Sequence, residues 1–204
     1  MTRRYVALGD SYTIGEGVSP SERWPALLAS ALRQRGVPIA DPVIVARTGW
    51  TTSELLAALD AISSPLPRAF DLVSLLIGVN DQYRGLGVHA FRDGFEKLVS
   101  RALDYAGGEP RHVVVVSIPD WGVTPFAASD PRGAIAIGGE INQFNAIARD
   151  AARQADMGFV DVTPLSRQAA TDRTLLAPDG LHPSGAMYAS WVELLEPVAL
   201  RALS

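Results

Sequence analysis

Five short apolar runs alternate along the chain with segments of helical hydrophobic spacing, and this alternation constrains the fold more than any other feature. The runs are Tyr5 to Leu8, Val43 to Ala46, Leu72 to Ile77, Val113 to Ile118 and Phe159 to Val162. They are apolar at successive positions rather than at every second one, as expected of strands in a parallel sheet covered on both faces. Between them, Trp24, Leu27, Leu28, Ala31 and Leu32 mark one helix face. Leu55, Leu56, Leu59 and Ile62 mark a second, and Phe91, Phe95, Leu98, Val99, Ala102 and Leu103 a third. Ile137, Ile141, Phe144, Ala148, Ala151 and Ala155 follow, then Met187, Trp191, Leu194, Leu195 and Val198. The pattern predicts one α/β domain over residues 1–204, a three-layer α/β/α sandwich around a five-stranded parallel sheet with right-handed crossovers. Trp24 and Trp191 are expected in its core.

Local signals set the boundaries. Ser21 reads as the N-cap of the first long helix, with Gly36 beyond its end, and Gly107 and Gly108 stop the third. Pro183 is expected to fix the start of the last helix and Pro197 to kink its final turns. Pro65 and Pro67 mark Ser63 to Arg68 as a loop. Pro119 to Arg132 is long for a connection, aperiodic, and reads as a functional loop.

Parallel strands share their carboxyl ends, so the polar segments leaving the first four strands emerge at one edge. That edge collects Ser11, Gly49, Asn80 and Asp120. Ser11, in Gly9-Asp10-Ser11, is the first candidate nucleophile. With no cysteine in the chain, thiol catalysis, thiolate metal sites and disulfides are excluded.

A serine hydroxyl needs a base to take its proton. Of three histidines, His89 sits near a helix start and His112 at a strand entrance, whereas His182 lies in the turn Asp179-Gly-Leu-His182-Pro. A carboxylate three residues before an imidazole can fold back onto one ring nitrogen and turn the other toward the serine. Gly180 lets that turn tighten. Acyl transfer also needs donors for a developing oxyanion, a role open to Asn80, Gly49 and the Ser11 N–H. Asp81 reads as structural. Tyr12, Trp50, Tyr83, Asp120, Trp121 and Phe126 are candidates to line a substrate pocket.

Gly9-Asp-Ser11, Gly49, Gly78-Val-Asn80-Asp and Asp179-Gly-Leu-His182 occur in the order and at the strand ends typical of one family. On these residues the chain resembles the SGNH hydrolases, also called GDSL-type esterases and lipases. The resemblance implies Ser11 as nucleophile, His182 as base and Asp179 as its orienter. It further implies an oxyanion hole of Ser11, Gly49 and Asn80, and a flavodoxin-like strand order 2-1-3-4-5. Where many members read Gly-Asp-Ser-Leu, this chain has Tyr12, which changes the site wall and disfavours long acyl chains.

The resulting expectation is a serine esterase acting on a small or short-chain ester, with no cofactor and no metal. An acetylated sugar, a thioester or a lysophospholipid would use the same residues. A metal-dependent phosphoesterase built on Asp10, Asn80, Asp81 and His182 is a rival, although three histidines are few for a two-metal site. No Gly-x-x-x-x-Gly-Lys-Ser/Thr motif supports a nucleotide-binding module. A non-catalytic binding protein on the same fold predicts no role for Ser11. The net charge of −4 and the dispersal of 18 Lys and Arg argue against nucleic acid as a partner. No apolar run approaches a membrane span, and four apolar residues before Gly9 are too few for a signal-peptide core. A cytoplasmic location is therefore expected, and the oligomeric state is left open.

Overall fold

The computed structural model describes residues 1–62 and 69–204. The loop expected over Ser63 to Arg68 lies outside them. The first apolar run forms β1 (Tyr5–Gly9), buried along its whole length at the middle of the sheet. It turns directly into α1 (Ser11–Ile14), which is followed by α2 (Trp24–Gln34), β2 (Val43–Ala46) and α3 (Thr52–Ala61). Then come β3 (Leu72–Leu76), α4 (Val79–Tyr83), α5 (Gly87–Tyr105) and β4 (Val113–Val116). The chain ends with α6 (Gly133–Gln154), β5 (Gly158–Val160), α7 (Thr163–Ser166) and α8 (Gly185–Ala202).

All five strands are parallel, in the order β2-β1-β3-β4-β5, with Val6 opposite both Val43 and Val73 and Val115 opposite Phe159. The α/β fold and the strand order match the expectation. Helices α2 and α8 pack together on one side, while α3 contacts α5 and α5 contacts α6 on the other. Trp24 and Trp191 are both fully buried. Phe91 stacks between Phe95 and Phe144, with ring centroids 5.2 and 4.5 Å away, joining α5 to α6. Among the described residues no helix is long and apolar enough to cross a membrane.

Several boundaries differ from the expected ones, each for a visible reason. Ser21 is not the cap of α2. It lies in a single 3₁₀ turn, Pro20–Glu22, where the Glu22 carboxylate takes both the N–H and the hydroxyl of Ser19. Pro183 does not start α8; Ser184 caps it, its hydroxyl accepting the Met187 N–H, and Pro183 bridges Leu176 instead. Helix α8 continues through Pro197 to Ala202. Strand β4 stops at Val116 because Asn145 takes over the backbone of Ile118, accepting its N–H at 2.8 Å and donating to its carbonyl at 2.9 Å. The aperiodic Pro119 to Arg132 segment contains two 3₁₀ turns, Trp121–Val123 and Pro125–Ser129.

Candidate active site

The site forms at the carboxyl edge of the sheet. Ser11 is the first residue of α1, a position whose backbone N–H has no partner within the helix. Asp10 caps the helix from below, its Oδ1 accepting the Tyr12 N–H at 3.0 Å. The cap is completely buried and its Oδ2 has no partner, so burial pushes the carboxyl up to about 8, only partly countered by the Tyr12 N–H. Ser11 is itself nearly buried, and its hydroxyl makes no hydrogen bond among the described residues.

His182 reaches the same place from the turn before α8. Its Nδ1 lies 2.6 Å from Asp179 Oδ2, and Asp179 Oδ1 accepts the N–H groups of Leu181 at 2.9 Å and His182 at 3.0 Å. Gly180, at φ +69°, closes the turn. Burial alone raises the Asp179 carboxyl, but these hydrogen bonds outweigh it and hold it below its ordinary value. An ionised carboxylate can only accept, so Nδ1 carries the hydrogen and Nε2 is left as the acceptor. The other two histidines stand elsewhere, His89 exposed on α5 and His112 at the opposite end of β4.

Ser11, Asn80 and His182 line one open cavity of about 90 Å³ with Tyr12, Tyr83, Trp121, Phe126, Val79 and Leu181. Tyr83, Trp121 and Phe126 form its aromatic wall, with ring centroids 5.4 to 6.1 Å apart. Trp121 is buried and held by Gln82 Oε1 at 2.7 Å and by the Arg132 guanidinium over its face; Tyr83 and Phe126 are nearly half exposed.

Gly49 and Trp50 sit beside the cavity, outside its lining, on a turn after β2. The turn and the start of α3 are tied at three points to α4 and to Arg84 just beyond it. Asn80 Nδ2 donates to the Trp50 carbonyl at 2.9 Å and Arg84 to the Gly49 carbonyl at 2.5 Å. Asp81 accepts the Thr52 N–H at 2.9 Å and its hydroxyl at 2.6 Å. Burial pushes the Asp81 carboxyl up while the Thr52 bonds oppose it. Gly49 has φ +82°, a conformation only glycine adopts without strain. Gly78, which starts α4, combines φ +125° with a Cβ position only 2.5 Å from the Phe91 ring, so no side chain can replace its hydrogen. Asn80 keeps a second amide hydrogen for a ligand.

Asp120 is not in the cavity. It is buried under the wall, capping Gly122 N–H at 3.0 Å and paired with Arg167 Nε at 2.9 Å. Two residues that bear on the site had no sequence signal. Arg84 is one. The other is Glu16, whose carboxylate lies 3.9 Å from His182 Nε2 and accepts the Thr48 hydroxyl. Among the described residues no three His, Asp or Glu side chains converge as a metal site; Asp10, Asp81 and His182 are each committed to separate partners.

A family model described as GDSL-like lipase/acylhydrolase matches residues 7–189. The chain belongs to this family. No curated protein matches the sequence. Among solved structures, the GDSL-like chain is similar to TesA, at 22% identity over 98% of this chain and 100% of that one, with a TM-score of 0.72. The lipase/acylhydrolase from Enterococcus faecalis matches at 22% identity, 96% and 94% coverage and a TM-score of 0.71. Axe2, an acetylxylan esterase from Geobacillus stearothermophilus, matches at 18% identity, 99% and 94% coverage and a TM-score of 0.67. Identities this low establish the shared fold, and the family assignment rests on the model match.

Proposed function

We propose that this GDSL-like chain is a serine esterase that hydrolyses small or short-chain esters through an acyl-Ser11 intermediate. The observation that carries the reading is the single cavity in which Ser11 meets His182, with His182 already hydrogen-bonded to Asp179 at 2.6 Å. In the first half-reaction Ser11 Oγ bonds to the ester carbon as its proton passes to His182 Nε2. The carbonyl oxygen becomes negative and is met by the Ser11 N–H, the Gly49 N–H and the free Asn80 amide hydrogen. Collapse breaks the ester C–O bond, and the alcohol leaves with the proton from His182. A water then gives a proton to His182 and bonds to the acyl carbon, and Ser11 Oγ departs with that proton, releasing the acid. The modest cavity and the buried Tyr12 favour a small acyl group.

The test is a series of p-nitrophenyl esters from acetate to palmitate, run beside acetylated sugars, with and without chelator. The reading expects a maximum at short chains and full activity in chelator. A maximum at palmitate, or loss of activity with metal removal, would contradict it.

A further inference from the structure

Tyr12 lines two cavities. One is the site with Ser11 and His182; the other is a narrow space of about 10 Å³ bounded by Pro119, Leu176, Leu181, Pro183 and Met187. Trp121 and Leu181 also line both, so the two spaces adjoin at these three side chains. The ring is 97% buried (3% exposed), with its centroid 5.3 Å from that of His182. The backbone on either side is clamped: the Tyr12 N–H goes to Asp10 Oδ1 at 3.0 Å, and its carbonyl accepts the Tyr188 hydroxyl at 3.1 Å. The Tyr12 hydroxyl makes no hydrogen bond among the described residues, so packing alone holds the ring where it is.

We propose that Tyr12 is a plug that sets the depth of the acyl pocket, and that removing its ring would join the narrow space behind it to that pocket. This rests on the esterase reading. The acyl group stays on Ser11 Oγ through the covalent stage, and Tyr12 is the next residue along, so the ring stands at the base of whatever Ser11 carries. Five walls of the space behind are Pro, Leu or Met side chains, and the Thr124 and Ser166 hydroxyls that also line it already donate to the Trp121 and Thr163 carbonyls. Its one carboxylate, Asp120, is committed to Arg167 and to the Gly122 N–H. Burial and the neighbouring Asp10, Asp179 and Asp120 carboxylates raise the Tyr12 phenol well above its ordinary value, so it plugs as a neutral ring.

The experiment compares wild type with Tyr12→Phe, Tyr12→Leu and Tyr12→Ala in two ways. One is the chain-length profile of p-nitrophenyl ester hydrolysis; the other is calorimetric binding of decanoate, which needs no turnover. Tyr12→Phe keeps the ring, so its chain-length maximum should stay where wild type has it, whatever its absolute rate. Tyr12→Ala should move the maximum to longer chains and Tyr12→Leu by less, each gaining about fourfold in kcat/KM per added methylene, the value of burying one. Tyr12→Ala should bind decanoate roughly tenfold more tightly than wild type, the gain from burying about two more methylenes. A folded Tyr12→Ala with the wild-type profile and no gain in decanoate binding would overturn the proposal. If no variant hydrolyses any ester, the esterase reading fails, and decanoate binding still decides the plug: a gain in the variants sustains it and no gain overturns it.

Discussion

The Asp179 carboxylate holds His182 twice, through the ring Nδ1 at 2.6 Å and through the backbone N–H at 3.0 Å. One side chain thus fixes both the turn and the tautomer of the imidazole, and the two functions can be separated.

Asp179→Asn does so. The Asn Oδ1 can still accept the Leu181 and His182 N–H groups, so the turn survives, but its amide hydrogens face Nδ1 and force the proton onto Nε2. Steady-state kinetics should show kcat lower by roughly 10⁴-fold with an unchanged circular dichroism spectrum. A loss under tenfold would remove Asp179 from the mechanism.

Asn80→Ala deletes one oxyanion donor and the tie to the Trp50 carbonyl. The expected loss is about 2.7 to 4 kcal/mol of transition-state stabilisation, expressed in kcat rather than KM. Normal turnover would rule out the role.

Arg84→Met releases the Gly49 carbonyl. The guanidinium is 45% exposed, and its ion pair with Glu54 at 3.3 Å is a surface one, so stability should change by less than about 1 kcal/mol. Misplacement of the Gly49 N–H should still lower kcat by roughly 10- to 100-fold with little effect on KM. Equal losses in stability and in activity would mark Arg84 as merely structural.

Asp10→Asn tests the buried cap. The folded chain holds the Asp10 proton up to about pH 8, whereas an aspartate in the unfolded chain gives it up near 3.8. Between these values the native state binds the extra proton, so the contribution to stability is complete below about pH 4 and declines as pH rises toward 8. Urea unfolding at pH 5, 6.5 and 8 should show wild type losing stability relative to Asp10→Asn across that window. Parallel curves would contradict a protonated Asp10.

Much of the fold could be read from the sequence because each strand is apolar on both faces, a pattern that only a covered parallel sheet explains. β2 runs from Val43 to Ala46 as expected. Strand and helix ends were harder to place, because a side chain far away in sequence can decide them, as Asn145 does at Ile118, and because neighbouring caps compete, as the Ser19–Glu22 box does with Ser21. In the site, Ser11, Asn80 and His182 were legible because strand ends and a short turn place them. Asp179 was legible because its spacing from His182 is local. Arg84 and Glu16 were not, since each reaches the site by a long side chain across a tertiary contact that no spacing encodes. Asp120 lies at the expected sheet edge, but Arg167 and the Gly122 N–H hold its carboxylate outside the cavity that Ser11 lines.

The central claim is covalent chemistry at Ser11, and stoichiometric labelling tests it most directly. The chain is treated with a p-nitrophenyl alkylphosphonate, nitrophenol release is counted, and the adduct is located by peptide mass spectrometry. Labelling should give one adduct per chain, on Ser11, with parallel loss of esterase activity and no labelling of Ser11→Ala. An adduct on another residue, or Ser11→Ala hydrolysing esters at the wild-type rate, would contradict it.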